Sequence, residues 1–413
     1  MRSLKFVLHL PLLCLLSPTL LSAQALILPK VISFTGAPAY SQAELLSFTG
    51  LKPGATSTAA AVQAAAQKLN DTGLFTDIQF ESNAHGLVFA LKPMPGMLPV
   101  RFTNLVWWSA DKLNTALKSR VPLYTGSLPQ SGNMQEAVSA ALKAMLAEKG
   151  ITATISAQPS SEQPGAPPSS IAFAIDSPEV RVHTLTFASA SPAMQAKFDK
   201  VIKDTVSQPY DEYVTDGAIT SAIGNIYRND GYLDVSVSEF THSAPQIAPT
   251  TINIDLTATI HEGEPYRISQ LTWPGSDILS ATDFNKQVKL HPEDIASEAA
   301  LKRSLQILAR AYYAKGYQDA KIQAPAVKDA ATHHVAYTVH VVPGEQYRIH
   351  SITALGLTDQ QRKDFNAAWK MNSGDFYDVT YLENFLLTNT AIQSLRGISA
   401  TYKAISDPNT HLV

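Results

Sequence analysis

One short signal recurs along the chain at a nearly constant interval, and it constrains the fold more than any single motif. An amphipathic stretch ends in glycine and an alternating stretch follows: Asn70-Asp71-Thr72-Gly73-Leu74-Phe75-Thr76-Asp77-Ile78, Asn229-Asp230-Gly231-Tyr232-Leu233-Asp234-Val235 and Ala314-Lys315-Gly316-Tyr317-Gln318-Asp319-Ala320. Weaker copies stand at Glu148-Lys149-Gly150-Ile151 and Leu395-Arg396-Gly397-Ile398. A fixed period of this length is the mark of a repeat architecture, in which each unit is one small supersecondary element. Five units of roughly 80 residues are expected.

Each of the glycines Gly73, Gly150, Gly231, Gly316 and Gly397 fits a helix C-cap, where positive φ suits a residue without Cβ. The preceding stretches have helical spacing, as in Val138, Leu142, Met145 and in Ile219, Ile223, Ile226. After the glycine the period becomes two, and a second alternating strand follows: Leu87, Phe89, Leu91, then Ile171, Phe173, Ile175, then Ile252, Ile254, Leu256, then Val335, Tyr337, Val339. A further strand opens each unit, at Val31 to Thr35, Val100 to Trp107, Val180 to Phe187, Tyr266 to Trp273 and Tyr347 to Ala354, with a shorter helix behind it. The expected fold class is α+β: a tandem array of five β-α-α-β-β modules, each a small three-stranded mixed sheet covered on one face by two helices. The boundaries read as 1–25 (export signal), 27–95, 96–177, 178–264, 265–345 and 346–413, with a low-complexity hairpin loop at 159–170 in the second module.

The N-terminus supplies Arg2 and Lys5, an apolar run from Phe6 to Leu16 broken by Pro11, and the small-x-small site Ala23-Gln24-Ala25. This is the pattern of a removable export signal, with cleavage at Ala23 and Ala25. The chain's single cysteine, Cys14, lies within it, which excludes a disulfide framework and a cysteine-rich metal site. The mature chain has no apolar run of membrane-spanning length, and the expected location is the periplasm, peripheral to the outer membrane at most. With 32 Lys and Arg against 35 Asp and Glu there is no basic field to attract nucleic acid.

The opening strand Val31-Ile32-Ser33-Phe34-Thr35-Gly36, the step Gly50-Leu51-Lys52-Pro53-Gly54, the helix closing at Gly73-Leu74-Phe75-Thr76-Asp77-Ile78 and the final strand together resemble a POTRA domain. POTRA domains are the polypeptide-transport-associated modules of outer-membrane assembly proteins such as BamA and TamA. The resemblance extends over residues 27 to 413. It implies modules that usually precede a transmembrane barrel, whose roughly 300 residues this chain has no room for. The turn at Asp407-Pro408-Asn409 followed by Thr410 to Val413 is expected to open a last strand that stops early. The resemblance also implies that the strand after each capping glycine is an edge to which a polypeptide can add. The candidate positions are Phe75, Thr76, Asp77, Ile78, Tyr232, Leu233, Asp234, Val235, Tyr317, Gln318, Asp319 and Ala320.

No residues are nominated as catalytic, cofactor-binding or metal-binding. His333, His334 and His340 share a strand, but neighbours on a strand face opposite ways and no carboxylate set joins them. Ser131 beside Gly132 lacks the strand-turn-helix setting of a nucleophile elbow. Asp375 with Asp378, and Glu262 with Glu264, sit at caps and turns. Trp107-Trp108 is expected to divide between core and surface on a strand, and the Tyr266-Arg267 and Tyr347-Arg348 steps to fix neighbouring modules. The expected function is therefore non-enzymatic: an exported scaffold that binds unfolded or outer-membrane polypeptides, or an assembly partner, by strand addition. The alternatives are a structural spacer docking a separately encoded barrel, and an envelope glycan or peptide hydrolase.

Overall fold

The computed structural model describes residues 5–6, 25–163, 165–388, 393–396 and 401–413. Ala23, most of the stretch read as an export signal, and Gly397 lie outside the described residues. The protein is a mixed α+β chain with several small sheets and, among the described residues, eleven α-helices.

The first segment holds β1 (Lys5–Phe6), β2 (Ala25–Ile27), β3 (Ile32–Thr35), α1 (Gln42–Thr49), β4 (Thr56–Thr58), α2 (Ala59–Asp71), β5 (Phe75–Asn83) and β6 (Gly86–Pro93). Helix α1 starts on a capping box in which the Ser41 hydroxyl accepts from the Glu44 amide and Glu44 accepts from the Ser41 amide. The sheet order is β1-β5-β6-β3, with β3 parallel and β5 antiparallel to β6. Helices must cross over between the parallel strands, whereas β5 and β6 need only a hairpin. Leu87, Phe89 and Leu91 of the central β6 are buried, as their alternation requires.

The same pairing recurs. Strands β7 (Leu98–Phe102), β8 (Ser127–Leu128), β9 (Thr154–Ser160) and β10 (Ser170–Ser177) enclose α3 (Ala110–Arg120) and α4 (Met134–Ala147) in the order β8-β7-β10-β9. Val138, Leu142 and Met145 of α4 are all buried, along with Ile171, Phe173 and Ile175 of β10. Next come β11 (Glu179–Ala188), α5 (Pro192–Gln195), α6 (Asp199–Thr205), α7 (Glu212–Asn229), β12 (Ser236–His242), β13 (Gln246–Ile247) and β14 (Thr251–His261), in the sheet order β11-β14-β12 with β13 also paired to β14. Strands β15 (Arg267–Thr272), β16 (Lys321–Gln323), β17 (Ala326–Asp329), β18 (His334–Thr338) and β19 (His340–Val342) surround α8 (Ala281–Gln287) and α9 (Glu298–Tyr313). Their order is β15-β18-β17, and β16 pairs with β19. Helices α10 (Asp359–Ala368) and α11 (Val379–Thr388) complete the described helices.

The uniform five-fold pattern expected from the sequence is not met. Segment 178–264 has three helices, segment 27–95 adds the β2–β4 pair, and among its described residues 346–413 shows the isolated bridges Arg348↔Phe376, Arg348↔Leu412 and Asp407↔Leu412 in place of strands. By contact the chain forms two compact units, Met1–Phe187 with Asp199–Ile219 and Glu239–Ala258, and Ala188–Phe198 with Thr220–Ser238 and Thr259–Val413.

The opening strand expected to reach Trp107 ends at Phe102. Asn104 ends it: its amide nitrogen donates to the Ile175 carbonyl at 3.0 Å and its oxygen accepts from the Ile175 amide at 2.8 Å. The side chain thus replaces the backbone at the end of the ladder. Trp107 and Trp108 accordingly lie in a turn, both half-buried, their rings 6.0 Å apart and the Lys149 ammonium over Trp108. Removing the Asn104 amide leaves two buried backbone groups unpaired, so Asn104→Ala is expected to cost about 1–3 kcal/mol, read from the urea midpoint of the full chain at unchanged m-value.

Candidate functional site

The candidate site is made of backbone, and the capping glycines set where that backbone runs. Gly73, Gly150, Gly231 and Gly316 all have positive φ, between 72° and 89°. In three of them the next amide closes the helix: Ile151 donates to Leu146, Tyr232 to Tyr227 and Tyr317 to Tyr312, each at 3.0–3.1 Å. This is the Schellman closure, and its accompanying apolar contact is supplied by Tyr232 edge-on to Tyr227 and Tyr317 edge-on to Tyr312.

At two of the glycines the helix end is spliced to the strand that opens the following sheet. The Tyr266 amide donates to the Gly231 carbonyl and the Tyr347 amide to the Gly316 carbonyl, both at 2.8 Å. The tyrosine carbonyls in turn accept from Ala296 at 2.9 Å and Tyr377 at 3.0 Å. A Cβ on Gly316 would lie 2.5 Å from the Tyr347 carbonyl oxygen, whereas one on Gly150 would meet nothing within 4 Å. The Tyr266 hydroxyl donates to Asp234 at 2.7 Å, and Lys328 pairs with the same carboxylate. Those two partners, Lys328 first, hold the Asp234 carboxyl below its ordinary pKa. The arginine beside each tyrosine locks the turn below it: Arg267 donates to the Glu293 carbonyl and Arg348 to the Gly374 carbonyl, at 2.6 and 2.7 Å. Arg181 does the same to Ser207 at 2.6 Å.

These contacts relocate part of the expected edge. Phe75, Thr76, Asp77 and Ile78 do open β5. Tyr232, Leu233, Asp234 and Val235 instead form a turn, and β12 starts only at Ser236; likewise Tyr317, Gln318, Asp319 and Ala320 precede β16, which starts at Lys321. Asp234 is held by Tyr266 and Lys328, so the chain cannot extend until it has passed the splice. The aspartate three residues after Gly231 and again after Gly316 was the sequence signal for this role.

Of the strands that follow a capping glycine, β9, β12 and β17 lie at sheet edges, as does β5 except where β1 covers it; the opening strands β3, β11 and β15 lie at the opposite side of their sheets. Lys5–Phe6 runs antiparallel to β5, Lys5 opposite Glu81 and Phe6 opposite Phe80. Edge strands are commonly blocked by lysine or proline. Strand β9 carries Pro159, β16 carries Lys321 and β17 carries Lys328, but β5 and β12 carry neither. Thr76, Asp77 and Gln79 of β5 and Ser236, Ser238 and Glu239 of β12 are exposed.

The other side chains singled out by sequence have local partners. His333 has φ 51° and stands edge-on to Tyr266, and His334 approaches Glu293. Among the described residues no three His, Cys, Asp or Glu groups are placed to share a metal. Ser131 lines an open cleft of about 620 Å3 with Asn70, Asp71, Thr76, Asn133 and Glu136. One feature escaped the sequence reading. Asp216, one turn into α7, is pushed up to about 7 by burial, then by Glu212 and Asp211, against a hydrogen bond from Tyr210. Its Oδ1 is buried without a hydrogen-bond partner among the described residues.

A family model now bears on these elements. The POTRA model, described as surface antigen variable number repeat, matches residues 266–344, the stretch from the Tyr266 splice to the end of β19. Residues 266–344 form a POTRA domain. A protein of Treponema pallidum (strain Nichols), described as an outer membrane protein assembly factor, is 23% identical over 188 residues, 43% of this chain and 22% of its own length. This chain therefore spans about a fifth of that relative. Two solved structures are also similar. The POTRA3-5 part of Haemophilus influenzae BamA is 17% identical over 51% of this chain and 85% of that one, with a TM-score of 0.38. POTRA1-3 of the periplasmic domain of Omp85 from Anabaena is 13% identical over 78% and 96%, with a TM-score of 0.18. No described helix is long and apolar enough to cross a membrane.

Two outcomes follow from the glycine splices and from Asp216. Gly150→Ala is expected to cost about 1–2 kcal/mol, the left-handed penalty alone, and Gly316→Ala about 3 kcal/mol or more because the Tyr347 carbonyl must also move; urea denaturation of the two variants compares them. The native state holds the Asp216 proton more tightly than the unfolded chain does. Its stabilising contribution is therefore complete below the unfolded value of 3.8 and is lost as pH rises through about 7. Asp216→Asn is expected to flatten that decline in thermal midpoint between pH 5 and 8.

Proposed function

We propose that the chain is an exported, non-enzymatic POTRA scaffold that receives extended segments of outer-membrane polypeptides, or of an assembly partner, by strand addition in the periplasm. The observation that carries this reading is that β5 and β12, alone among the described strands that follow a capping glycine, carry neither lysine nor proline, on sheets whose central strands are buried. An added strand makes main-chain hydrogen bonds that ask little of its sequence, and exposed side chains at alternate positions give modest selection. That suits clients met while unfolded. The Lys5–Phe6 pairing supports the reading, because an extended stretch of chain sits on β5 in the antiparallel sense such a client would use. The near balance of charge fits as well, since affinity comes from backbone rather than from a charged field. The relative described as an outer membrane protein assembly factor points to the same compartment and the same class of client.

Site-specific photocrosslinking in cells tests this. A crosslinking side chain at Gln79 of β5 or Glu239 of β12 is expected to capture outer-membrane polypeptides several-fold more than one at Gln67 on α2 or Lys200 on α6, both exposed. Equal capture at strand and helix positions would overturn the assignment.

A further inference from the structure

The unguarded strands β5 and β12 differ in the side chains they present, and β5 presents a definite pattern. Its register with β6 sets Ile78 opposite Leu91 and Phe80 opposite Phe89, both partners being buried. On the other face Asp77 stands opposite Lys92, Gln79 opposite Ala90 and Glu81 opposite Val88. Strand neighbours point to opposite faces, so a strand added beside β5 meets an apolar line on one face and an acidic line on the other.

The apolar line ends an aromatic row that crosses three strands. Phe34 of β3 stacks on Phe89 of β6 at 5.2 Å, and Phe89 lies 5.6 Å from Phe80 of β5. Phe34 and Phe89 are buried, whereas Phe80 is half-buried. Neighbouring strands are about 4.8 Å apart and ring pairs favour separations of about 4.5–7 Å, so an aromatic residue opposite Phe80 would continue the row.

The acidic line has charge to spare. Asp77 accepts from the Gln79 side chain at 2.9 Å and Glu81 from the Asn83 side chain at 3.2 Å, and neither is ion-paired with a described side chain. Lys92, opposite Asp77, is exposed. Where β5 begins, Asp71 and Glu136 line the same open cleft as Thr76. A strand running antiparallel to β5 and leaving it past Thr76 therefore approaches two further carboxylates. Strand β12 carries a single acid, Glu239. The pairing already present on β5 has the complementary pattern, since its register sets Lys5 opposite Glu81 and Phe6 opposite Phe80.

We propose that β5 selects among extended client polypeptides, taking segments that alternate an aromatic or apolar residue, opposite Phe80 and Ile78, with a lysine or arginine, opposite Glu81 and Asp77. The proposal rests on the strand addition proposed above and adds the chemistry of the client. Opposite charges and aromatic pairs across neighbouring strands are favourable, and like charges directly opposite are unfavourable. Main-chain bonds thus hold any strand, while these four positions grade it.

The probes are three dye-labelled peptides, Thr-Lys-Phe-Thr-Val-Lys-Thr, the same with both lysines replaced by glutamate, and the same with phenylalanine replaced by alanine. Each is added to the chain purified from the periplasm, with binding read by fluorescence anisotropy and its place by hydrogen exchange. The first peptide is expected to slow exchange on β5 and to bind about tenfold more tightly than the glutamate peptide at low salt and about fivefold more tightly than the alanine peptide. Salt is expected to narrow the first difference and spare the second. The Asp77→Lys/Glu81→Lys variant is expected to reverse the order of the lysine and glutamate peptides, a reversal that an unfolded variant would not show. Equal affinities with slowed exchange on β5 would overturn this selection while leaving strand addition standing; exchange on β5 unchanged by all three peptides would overturn both. Exchange on β5 already slow before peptide, and released by deleting residues 2–22, would make the chain's own leader the occupant and overturn the proposal.

Discussion

The hydrogen bond from a tyrosine amide to the carbonyl of a capping glycine is the constraint on which the rest of the molecule depends. A helix ends with carbonyls that lack intrahelical partners, and an isolated domain would leave them to water. At Gly231 and Gly316 the amides of Tyr232 and Tyr317 return to the last turn, and the opening strand of the following sheet takes the carbonyl of the glycine itself, at Tyr266 and Tyr347. The same backbone step therefore closes a helix, turns the chain into a sheet and begins the next one. At these two positions a side chain would also collide with the carbonyl of the tyrosine, so the residue type and not only the conformation is required there. The hydroxyl of Tyr266 then reaches back to Asp234, so backbone and side chain hold the step from both ends.

That splice also decides which backbone is left for binding. The residues just after each glycine are committed to it, and the strand becomes free only beyond them. What remains are strands paired on one side only, with their outward amides and carbonyls unclaimed by neighbours. A lysine or proline on such an edge discourages pairing with other chains, and β9, β16 and β17 each carry one. Lys328 serves both ends at once, blocking β17 while neutralising Asp234. The absence of either residue from β5 and β12 is therefore a contrast among the strands that follow the glycines.

Much of this was legible because it rests on period and on backbone sterics. Alternation in Ile252, Ile254, Leu256 and helical spacing in Val138, Leu142, Met145 each place a face toward a core, and all six are buried. The positive φ of the described capping glycines follows from their lack of Cβ. Sequence failed where a contact distant along the chain overrules local preference. Tyr232 to Val235 alternate like a strand, yet the partner that holds Asp234 out of the ladder is 32 residues away. Val100 to Trp107 likewise reads as one run, but Asn104 exchanges hydrogen bonds with Ile175, 71 residues on. The raised Asp216 had no local signal at all, since burial and the neighbouring carboxylates act together only once α7 is packed.

The core of residues 266–344 shows what one strand is worth in a sheet this small. In a three-stranded mixed sheet the central strand supplies both the hydrogen bonds of its two neighbours and the apolar face on which two helices rest. With β18 in place, α9 buries Leu308 and Tyr312 completely or nearly so. Helices α10 and α11 keep their aromatic residues together but half-buried, Phe365, Trp369, Tyr381 and Phe385 lying ring against ring. Burial of a helix face here is a property of the strand beneath it rather than of the helix, whose own caps are sound: α10 begins on a complete capping box at Thr358 and Gln361. Caps and ring contacts are satisfied within a few residues, while a sheet is satisfied only across a whole module.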